Sequence, residues 1–171
     1  MTSLSDLVRA RRTTKVFGTE PVDRATIEEL LELARWAPNH HLTNPWRFFV
    51  LGPDALRRLK DAAGADAAAK LDRAPTLIAV GAVQSGDDPV QGEEDLLAAG
   101  CAAFLMLLGA EERGLASYWR TPAVLRTDEG RAALDVPDDV RLIGLIHLGP
   151  RRQEQPVPER APLPDVTTWL D

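Results

Sequence analysis

The amino-acid sequence predicts one α+β domain, residues 1–171, in which four strands lie between amphipathic helices. Two observations support this prediction. Short runs rich in β-branched and aromatic residues recur along the chain, and apolar residues between them repeat at three- and four-residue spacing. A chain of this length can bury a core within one domain. The predicted strands cover residues 46–51, 76–83, 115–119 and 140–148.

Three helices are predicted in the N-terminal half of the chain. Ser3 can cap the first helix. The second begins near Asp23, or at Thr26 if Thr26 and Glu29 form a capping box. The third follows the turn after the first strand and extends to about residue 71, with a possible break at Gly64. The buried face of the second helix is predicted to contain Ile27, Leu30, Leu31 and Ala34.

The longest predicted helix covers residues 93–113 and ends at Gly114, after a mobile loop over residues 84–92. Because residues 96–108 are apolar on all sides, we expect this helix to be buried all round and to take part in a subunit interface. Cys101 lies in this stretch and is expected to be a buried small hydrophobe.

The C-terminal part begins with a short helical segment over residues 127–134 that precedes the last strand. From Gly149 onward five prolines exclude a helix and a central strand, so residues 150–171 are predicted to form an extended arm. The final residues, 166–171, read VTTWLD and are strand-like. We therefore expect the arm to end in a strand that docks elsewhere.

Composition excludes several classes of function. The chain has a formal net charge of -6 and no basic stripe, which disfavours a nucleic-acid partner. Its single cysteine cannot form an internal disulfide. No apolar stretch is long enough for a membrane span, and the N-terminus lacks the apolar region of a secretory signal. A cytoplasmic location without membrane contact is expected.

Against this acidic background, four cations cluster near the N-terminus, at Arg9, Arg11, Arg12 and Lys15. Thr13 and Thr14 add hydroxyl donors within the cluster. Such a local concentration of donors is typical of an anion site. The alternative is a solvated helix end, where cations interact favourably with the helix dipole.

A second polar segment, APNHHLTNPW at residues 37–46, leads into the first strand, and its polar residues lie between Pro38 and Pro45. Short loops held between rigid elements commonly carry ligand contacts. The adjacent residues His40 and His41 are expected to point apart. A metal site is disfavoured because the sequence has no third metal ligand near them. His147 is predicted to be a core or edge histidine with a backbone partner. No acid, base or nucleophile pattern is recognisable, which favours an enzyme whose cofactor performs the chemistry.

These two segments, together with Trp119-Arg120-Thr121, resemble the nitroreductase family of FMN-dependent oxidoreductases. That family has an Arg-(Arg/His)-Ser-x-(Arg/Lys) start and an Ala-Pro-(Ser/Asp)-x-x-x-x-(Gln/Asn)-Pro-Trp loop, and the resemblance is strongest to its compact subgroup. It implies a central, mostly antiparallel or mixed sheet flanked by helices, with the C-terminal strand exchanged with a dimer partner. Here Thr13 replaces the commoner Ser, Asn44 replaces Gln, and Trp36 replaces an arginine of some relatives.

The resemblance implies that FMN lies at the interface of a homodimer and carries the chemistry, so no catalytic residue is assigned. One chain would hold the phosphate and the flavin ring through its basic cluster, and the partner would supply the second loop over the ring. Arg160 stands where many relatives keep a phosphate-binding arginine, with Arg151 or Arg152 as alternatives. The full set of implied cofactor-binding residues is Arg11, Arg12, Thr13, Lys15, Trp36, His40, Asn44, Trp119, Arg120, Thr121 and Arg160.

The implied activity is an NADH- or NADPH-dependent reduction of nitroaromatics, quinones or related electron-poor acceptors by ping-pong hydride transfer. Two alternatives stay open: a specialised reductase of the same fold, such as a dehalogenase or flavin-fragmenting enzyme, and a non-catalytic flavin-binding or regulatory protein. Specialised reductases usually carry an extra lid segment, for which this chain has little room. An acyl-CoA-binding acetyltransferase matches the size, but its pyrophosphate loop is missing from the sequence.

Overall fold

A computed structural model describes residues 3–84, 86 and 88–170. Its centre is a four-stranded antiparallel sheet with the strand order β1-β2-β4-β3. The strands are β1 (Trp46–Val50), β2 (Thr76–Val83), β3 (Leu115–Arg120) and β4 (Val140–Pro150). All four predicted strands are therefore confirmed, with differences of one or two residues at their ends.

The two central strands, β2 and β4, are almost entirely buried. Their near-continuous apolar sequences are typical of strands that are covered on both faces. The β2–β4 pairing runs from Thr76 opposite Leu148 to Val83 opposite Val140, and the register shifts between Val80 and Gly81. A Cβ atom at Gly81 would lie 2.7 Å from Val140 Cγ1. Glycine is therefore the residue that allows the two backbones to approach at this irregularity.

Six helices are assigned among the described residues, and they cover both faces of the sheet. One face packs against α2 and α5, and the other packs against α3 and α6. The helices are α1 (Leu4–Ala10), α2 (Arg24–Ala34), α3 (Pro53–Ala63), α4 (Ala65–Ala68), α5 (Pro89–Glu112) and α6 (Asp128–Ala133).

Local sequence signals account for several helix ends. Ser3 and Asp6 form a capping box at the start of α1. The carboxylate of Asp23 accepts hydrogen bonds from the backbone N–H of Thr26 at 2.9 Å and from its hydroxyl at 2.7 Å. Asp23 is therefore the cap of α2, and the alternative start at Thr26 is wrong. The predicted break at Gly64 is confirmed, because its φ of 75° separates α3 from α4.

Helix α5 begins four residues earlier than predicted. The Asp88 carboxylate accepts hydrogen bonds from the backbone N–H groups of Val90 and Gln91, at 2.9 and 3.3 Å. Pro89 occupies the first turn, where its missing N–H costs nothing. The predicted mobile loop over residues 84–92 is wrong for residues 89–92, while residues 85 and 87 lie outside the described part of the chain. Gly114, with φ 69°, follows the helix as expected.

One face of α5 is exposed in the single chain. Leu97 is 67% exposed, Phe104 is 41% exposed, and Cys101 between them is also exposed. These positions are four and three residues apart, so they form one stripe along the helix. The predictions that α5 is buried all round and that Cys101 is a buried hydrophobe are wrong for the single chain. The stripe is an apolar surface that nothing in the described chain covers.

The C-terminal arm is extended, as predicted, but it begins slightly later. Gly149 and Pro150 still belong to β4, because proline at the last position can accept a hydrogen bond through its carbonyl, here from Gly18 N–H at 2.9 Å. A short 3₁₀ turn covers Leu163–Val166, and no strand is formed over residues 166–170, while residue 171 is outside the description. The arm has strongly exposed apolar side chains at Val157, Leu163, Val166, Trp169 and Leu170.

None of the helices in the described residues combines the length and apolar composition that a membrane span requires.

We predict that Gly144→Ala destabilises the protein. A Cβ atom at Gly144 would overlap the indole of Trp119, which is itself packed between β4 and α5. Overpacking of this kind typically costs about 1–3 kcal/mol. Urea unfolding measures the loss, and Gly52→Ala is the matched control, since its added Cβ meets nothing within 4 Å. Equal unfolding midpoints for the two variants would contradict the packing of Trp119.

Candidate functional site

The basic N-terminal segment is fixed against the edge of the sheet. Thr14 is buried and its backbone N–H donates to the carbonyl of Ser117 in β3 at 3.0 Å. Thr13 forms a parallel bridge with Ser117, and Phe17 forms an antiparallel bridge with Arg151. These backbone contacts place the cationic side chains at one end of β3.

A cleft of about 330 Å³, called the arginine cleft below, forms where this segment meets the C-terminal arm. Arg11, Arg12 and Thr13 line one side, and Gln155 and Arg160 line the other. The fold thus brings together four of the predicted cofactor-binding residues from the two ends of the chain. Lys15 is exposed and does not line this cleft.

The electrostatics of the cleft favour an anion. Burial lowers the pKa of the half-buried Arg11 below its ordinary value, Glu111 opposes this shift, and the charges of Arg12 and Arg160 add to the lowering. Because an arginine stays protonated nonetheless, the repulsion among three guanidinium groups persists until a negative charge compensates it. An anion that binds in the cleft lowers this electrostatic repulsion, so we expect the cleft to bind one.

The three arginines are held differently. The Arg12 guanidinium donates to the carbonyls of Arg9 and Arg11, at 2.5 and 3.0 Å, while its Nε is buried without a partner in the described part of the chain. The Arg160 side chain is exposed and donates to the carbonyl of Glu159 at 3.2 Å. Arg12 is thus a fixed wall of the cleft, and Arg160 can adjust to a ligand.

Arg151 and Arg152, the sequence alternatives to Arg160, do not line the cleft. Arg151 donates to the Glu111 carboxylate at 2.7 Å, in a pair that is mostly buried. An arginine whose charge is already compensated in this way is a poor phosphate ligand. The geometry therefore favours Arg160 over Arg151.

The second predicted segment forms a strained loop near the other end of α5. Residues His40–Leu42 make a 3₁₀ turn in which His41 has φ 53°. The rings of His40 and His41 stack, with centroids 3.8 Å apart, so the expectation that they point apart is wrong. The left-handed backbone of His41 is what turns its ring onto that of its neighbour. His40 Nδ1 lies 2.6 Å from the Glu94 carboxylate.

Hydrogen bonds within this loop use several of its polar groups. The Asn44 amide donates to the carbonyl of Leu42 at 2.6 Å, and its backbone N–H donates to the Asn39 side chain at 3.0 Å. The Thr43 hydroxyl donates to Asp95, a fully buried carboxylate of α5, at 2.6 Å. Asp95 anchors the loop, and sequence reasoning missed it because it ends the acidic run Glu93-Glu94-Asp95, whose members look equally solvated in the sequence.

Trp36, also predicted to bind the cofactor, is 75% exposed at the end of α2. Its indole N–H donates to Glu32 at 3.2 Å, and it borders an open acidic groove that Glu28 and Glu32 line. Among the described residues, no cluster of histidine, cysteine or acidic side chains could hold a metal ion, so the stacked histidines of the loop are not part of a metal cluster there.

The two predicted segments lie far apart in one chain. The loop over residues 37–46, called the His40 loop below, contacts α5 through His40 and Glu94. Arg11 is close to Glu111, near the other end of the same helix. These glutamates are seventeen residues apart in α5, or about 25 Å at 1.5 Å per residue. A single chain therefore does not place His40 beside the arginine cleft.

The third predicted segment, at the end of β3, sends its side chains in different directions. Trp119 faces α5 and its indole N–H lies 3.4 Å from the carbonyl of Ile143. Arg120 follows it on the opposite face of the sheet, and Thr121 is exposed beyond the strand. Thr121 lines an open cleft that is distinct from the arginine cleft described above, while Trp119 and Arg120 are partly buried.

His147 is a core histidine, as predicted, but its backbone partner is missing. It is fully buried in β4, and neither ring nitrogen has a hydrogen-bond partner within the described residues. Burial, followed by the positive charges of Arg120 and Arg73, lowers the pKa of His147 to about 4. The ring is therefore neutral at physiological pH, and its centroid lies 5.6 Å from that of Tyr118.

Comparison with known protein families gives one family profile, described as Nitroreductase family, which matches residues 8–70 and 65–150. Among curated proteins, YfhC of Bacillus subtilis (strain 168), named provisionally as an NAD(P)H nitroreductase, is 27% identical over 98% of this chain and 94% of its own. A 5,6-dimethylbenzimidazole synthase of Rhodospirillum rubrum is 29% identical over 91% of this chain and 85% of its own.

Solved structures show the same fold. A nitroreductase-like family protein from Bacillus cereus superposes with a TM-score of 0.89 at 22% identity, covering 99% of this chain and 97% of its own. A protein from Desulfovibrio desulfuricans, described provisionally as a nitroreductase and solved in complex with FMN, superposes with a TM-score of 0.82 at 24% identity, covering 96% and 95%. The fold is therefore nitroreductase-like α+β with an antiparallel sheet.

We predict that protonation of His147 destabilises the protein in acid. The unfolded state takes up the proton near pH 6.5 and the folded state only near pH 4, so stability is complete above pH 6.5 and falls between these values. The loss is on the order of 3 kcal/mol. Urea unfolding at several pH values measures it, and His147→Phe removes the titrating group. A stability difference between the two proteins that does not change from pH 7 to pH 4 would contradict the neutral buried ring.

Proposed function

The chain belongs to the nitroreductase family, and from that membership we propose that it is an FMN-dependent NAD(P)H oxidoreductase. Its acceptors would be nitroaromatics, quinones or related electron-poor compounds. The observation that supports the proposal most directly is the arginine cleft, in which Arg11, Arg12 and Arg160 converge with Thr13 on an acidic protein. A cytoplasmic location remains part of the proposal.

The residues of the cleft fit a ribityl phosphate. Guanidinium groups bind phosphate oxygens through charge-assisted and often bidentate hydrogen bonds, and a threonine hydroxyl can donate another. Arg12 Nε, buried without a partner among the described residues, is a donor that a ligand can satisfy. In our proposal Arg11 and Arg160 hold the phosphate, while Arg12 and Thr13 shape the site.

Strand β3 gives this site a direction. Thr13 lies beside Ser117. Thr121 is four residues after Ser117, so the two positions are about 13 Å apart at 3.3 Å per residue. We propose that the cofactor extends along this edge, with its phosphate at the arginine cleft and its ring toward Thr121. When bound, FMN would supply ping-pong hydride transfer between NADH or NADPH and an electron-poor acceptor. The protein then needs no nucleophile of its own; Lys15 would contribute a positive charge along the cofactor.

The separation of the His40 loop from the arginine cleft supports a homodimer. If two α5 helices pair antiparallel through the exposed stripe, Glu94 of each chain comes near Glu111 of the other. That arrangement would bring His40 and Asn44, together with Trp36 just before their loop, over the cofactor held by the partner. It would also cover Leu97 and Phe104, and an apolar stripe of this kind is typical of an interface. The exposed apolar residues of the arm would then pack on the second subunit.

One comparison favours a second candidate. The relative from Rhodospirillum rubrum is named as a synthase, so relatives similar over most of this chain include an enzyme that is not named as a nitroreductase. We rank the specialised activity below the general oxidoreductase because the described chain has no lid segment over the proposed ring position. A non-catalytic flavoprotein ranks third. Bleaching of the flavin by NADH or NADPH separates the first two candidates from the third.

We predict that the protein retains FMN at close to one equivalent per chain after reconstitution and desalting. Arg11→Gln and Arg160→Gln should each weaken FMN binding, for Arg11 by about 1.5–3 kcal/mol, because each loses a charge-assisted contact. Arg152→Gln is the matched control, since Arg152 is exposed and does not line the cleft. Fluorescence titration of FMN measures the affinities. Absence of retained flavin would contradict the proposed function. Equal losses of FMN affinity in all three variants would show that the arginine cleft is not the FMN site.

We further predict a dimer in which two copies of Cys101 lie close together. In the proposed antiparallel pair, the two α5 helices are centred on the midpoint between Glu94 and Glu111, which is one to two residues from Cys101. The two thiols therefore lie near each other on neighbouring helices, whose axes are typically about 8–10 Å apart. A short bis-maleimide should therefore join two chains, and Cys101→Ser should abolish the product. Light scattering on the untreated protein gives the mass in solution. A flavin-loaded monomer at micromolar concentration would rule the arrangement out.

A further inference from the structure

A second cleft, of about 390 Å³, opens where β3 ends, and it is not part of the arginine cleft. Its lining combines apolar side chains, among them the buried Leu125 and Leu142, with three arginines and a threonine. These polar residues are Arg126, Arg131, Arg141 and Thr121. We propose that this cleft binds the oxyanion, phosphate or carboxylate, of a small molecule that reacts at the flavin. The proposal rests on the proposed function, because it places the flavin ring near Thr121.

The charges of the cleft lack compensation from the protein. Several other arginines of this acidic chain pair with carboxylates, for example Arg24 with Glu28 and Arg58 with Asp135. Within the described residues, by contrast, Arg126 and Arg141 have no ion pair, and no carboxylate lines the cleft. Three guanidinium groups beside apolar side chains favour a bound anion, because the anion compensates their mutual repulsion, as it would in the arginine cleft.

One of the three arginines is fixed in place. The Arg131 guanidinium donates to the carbonyl of Val140 at 2.6 Å and to that of Pro137 at 2.9 Å. Neutral carbonyls orient the guanidinium without cancelling its charge. Arg126 and Arg141 line the same cleft and are exposed, so their side chains can adjust to a ligand.

The position of the cleft separates its ligand from the phosphate of FMN. Thr121 directly follows β3 and is four positions after Ser117, the strand residue beside Thr13, which is about 13 Å at 3.3 Å per residue. One FMN phosphate cannot occupy both clefts. An anion here would instead belong to the molecule that exchanges a hydride with the ring, and the apolar side chains suit the planar or ribose part of that molecule. Two sources carry this chemistry, namely the 2′-phosphate of NADPH and a carboxylate on an aromatic acceptor.

The experiment uses FMN-loaded protein and the variants Arg126→Gln and Arg141→Gln. Arg24→Gln is the matched control, because it removes one exposed positive charge from α2, on the other face of the sheet. In one arm, kcat/KM is compared for NADPH and NADH. In the other, it is compared for 4-nitrobenzoate and nitrobenzene. Calorimetry with adenosine 2′,5′-bisphosphate and with 4-nitrobenzoate measures binding without turnover.

We expect each cleft variant to lower the preference for the charged member of one pair by roughly 3- to 10-fold, with a matching loss of calorimetric affinity. A fall in the NADPH/NADH ratio identifies the hydride donor as the source, and a fall in the nitrobenzoate/nitrobenzene ratio identifies the acceptor. Ratios and affinities equal to those of Arg24→Gln in both arms overturn the proposal. Failure to retain FMN contradicts the proposed function instead, and calorimetry alone then decides whether the cleft binds oxyanions.

Discussion

The packing of α5 against one face of the sheet is the interaction on which the rest of the molecule depends. Its small residues allow this close approach, since Ala99, Ala102 and Ala103 are fully buried and Gly100 faces Trp119. The same helix carries Asp95, which anchors the His40 loop, and Glu111, which neutralises Arg151. The helix therefore sets the distance between the two polar regions of the chain. That distance is too large for one chain to use both regions on one ligand, which is why the proposed site needs two copies.

The arginines of the chain differ in how their charge is compensated. Several of them pair with carboxylates, and such exposed pairs contribute little to stability. The arginines that line the two clefts are different, because within the described residues none of them forms an ion pair, and Arg131 is oriented by neutral carbonyls. Their mutual repulsion lowers the stability of the ligand-free protein. Binding an anion removes that repulsion, so the same residues that weaken the free chain supply affinity for a ligand.

The sequence allowed most of the fold to be predicted because the relevant signals are local. Residues 76–83 are continuously apolar and became a strand buried on both faces, while Asp23 and Gly64 marked helix boundaries through their own side chain and backbone. The errors occurred where a contact with another element decides the outcome. Periodicity cannot show which face of an apolar helix a single chain leaves open, as at Cys101. It also cannot show that a buried ring such as His147 lacks a partner.

The candidate site was predictable to a similar extent. Motif resemblance selected Arg11, Arg12, Thr13 and Arg160, and the fold places these four around one cleft. Resemblance could not show that Arg120 points to the opposite face of the sheet from Trp119, because that depends on the alternation of side chains in β3. Nor could it identify Arg126 and Arg141, which belong to no motif and are joined by the tertiary structure alone.

The arginine cleft joins the two ends of the polypeptide. One wall follows α1, a seven-residue helix with no buried residue, and the other belongs to an arm with almost no regular structure. Segments with so few buried contacts open locally at a much lower cost than the sheet does. A phosphate held between Arg11 and Arg160 would act as a crosslink between the termini, and it would slow amide exchange and proteolysis there while leaving the core unchanged. The cofactor would then be a structural element of the chain as well as its reagent.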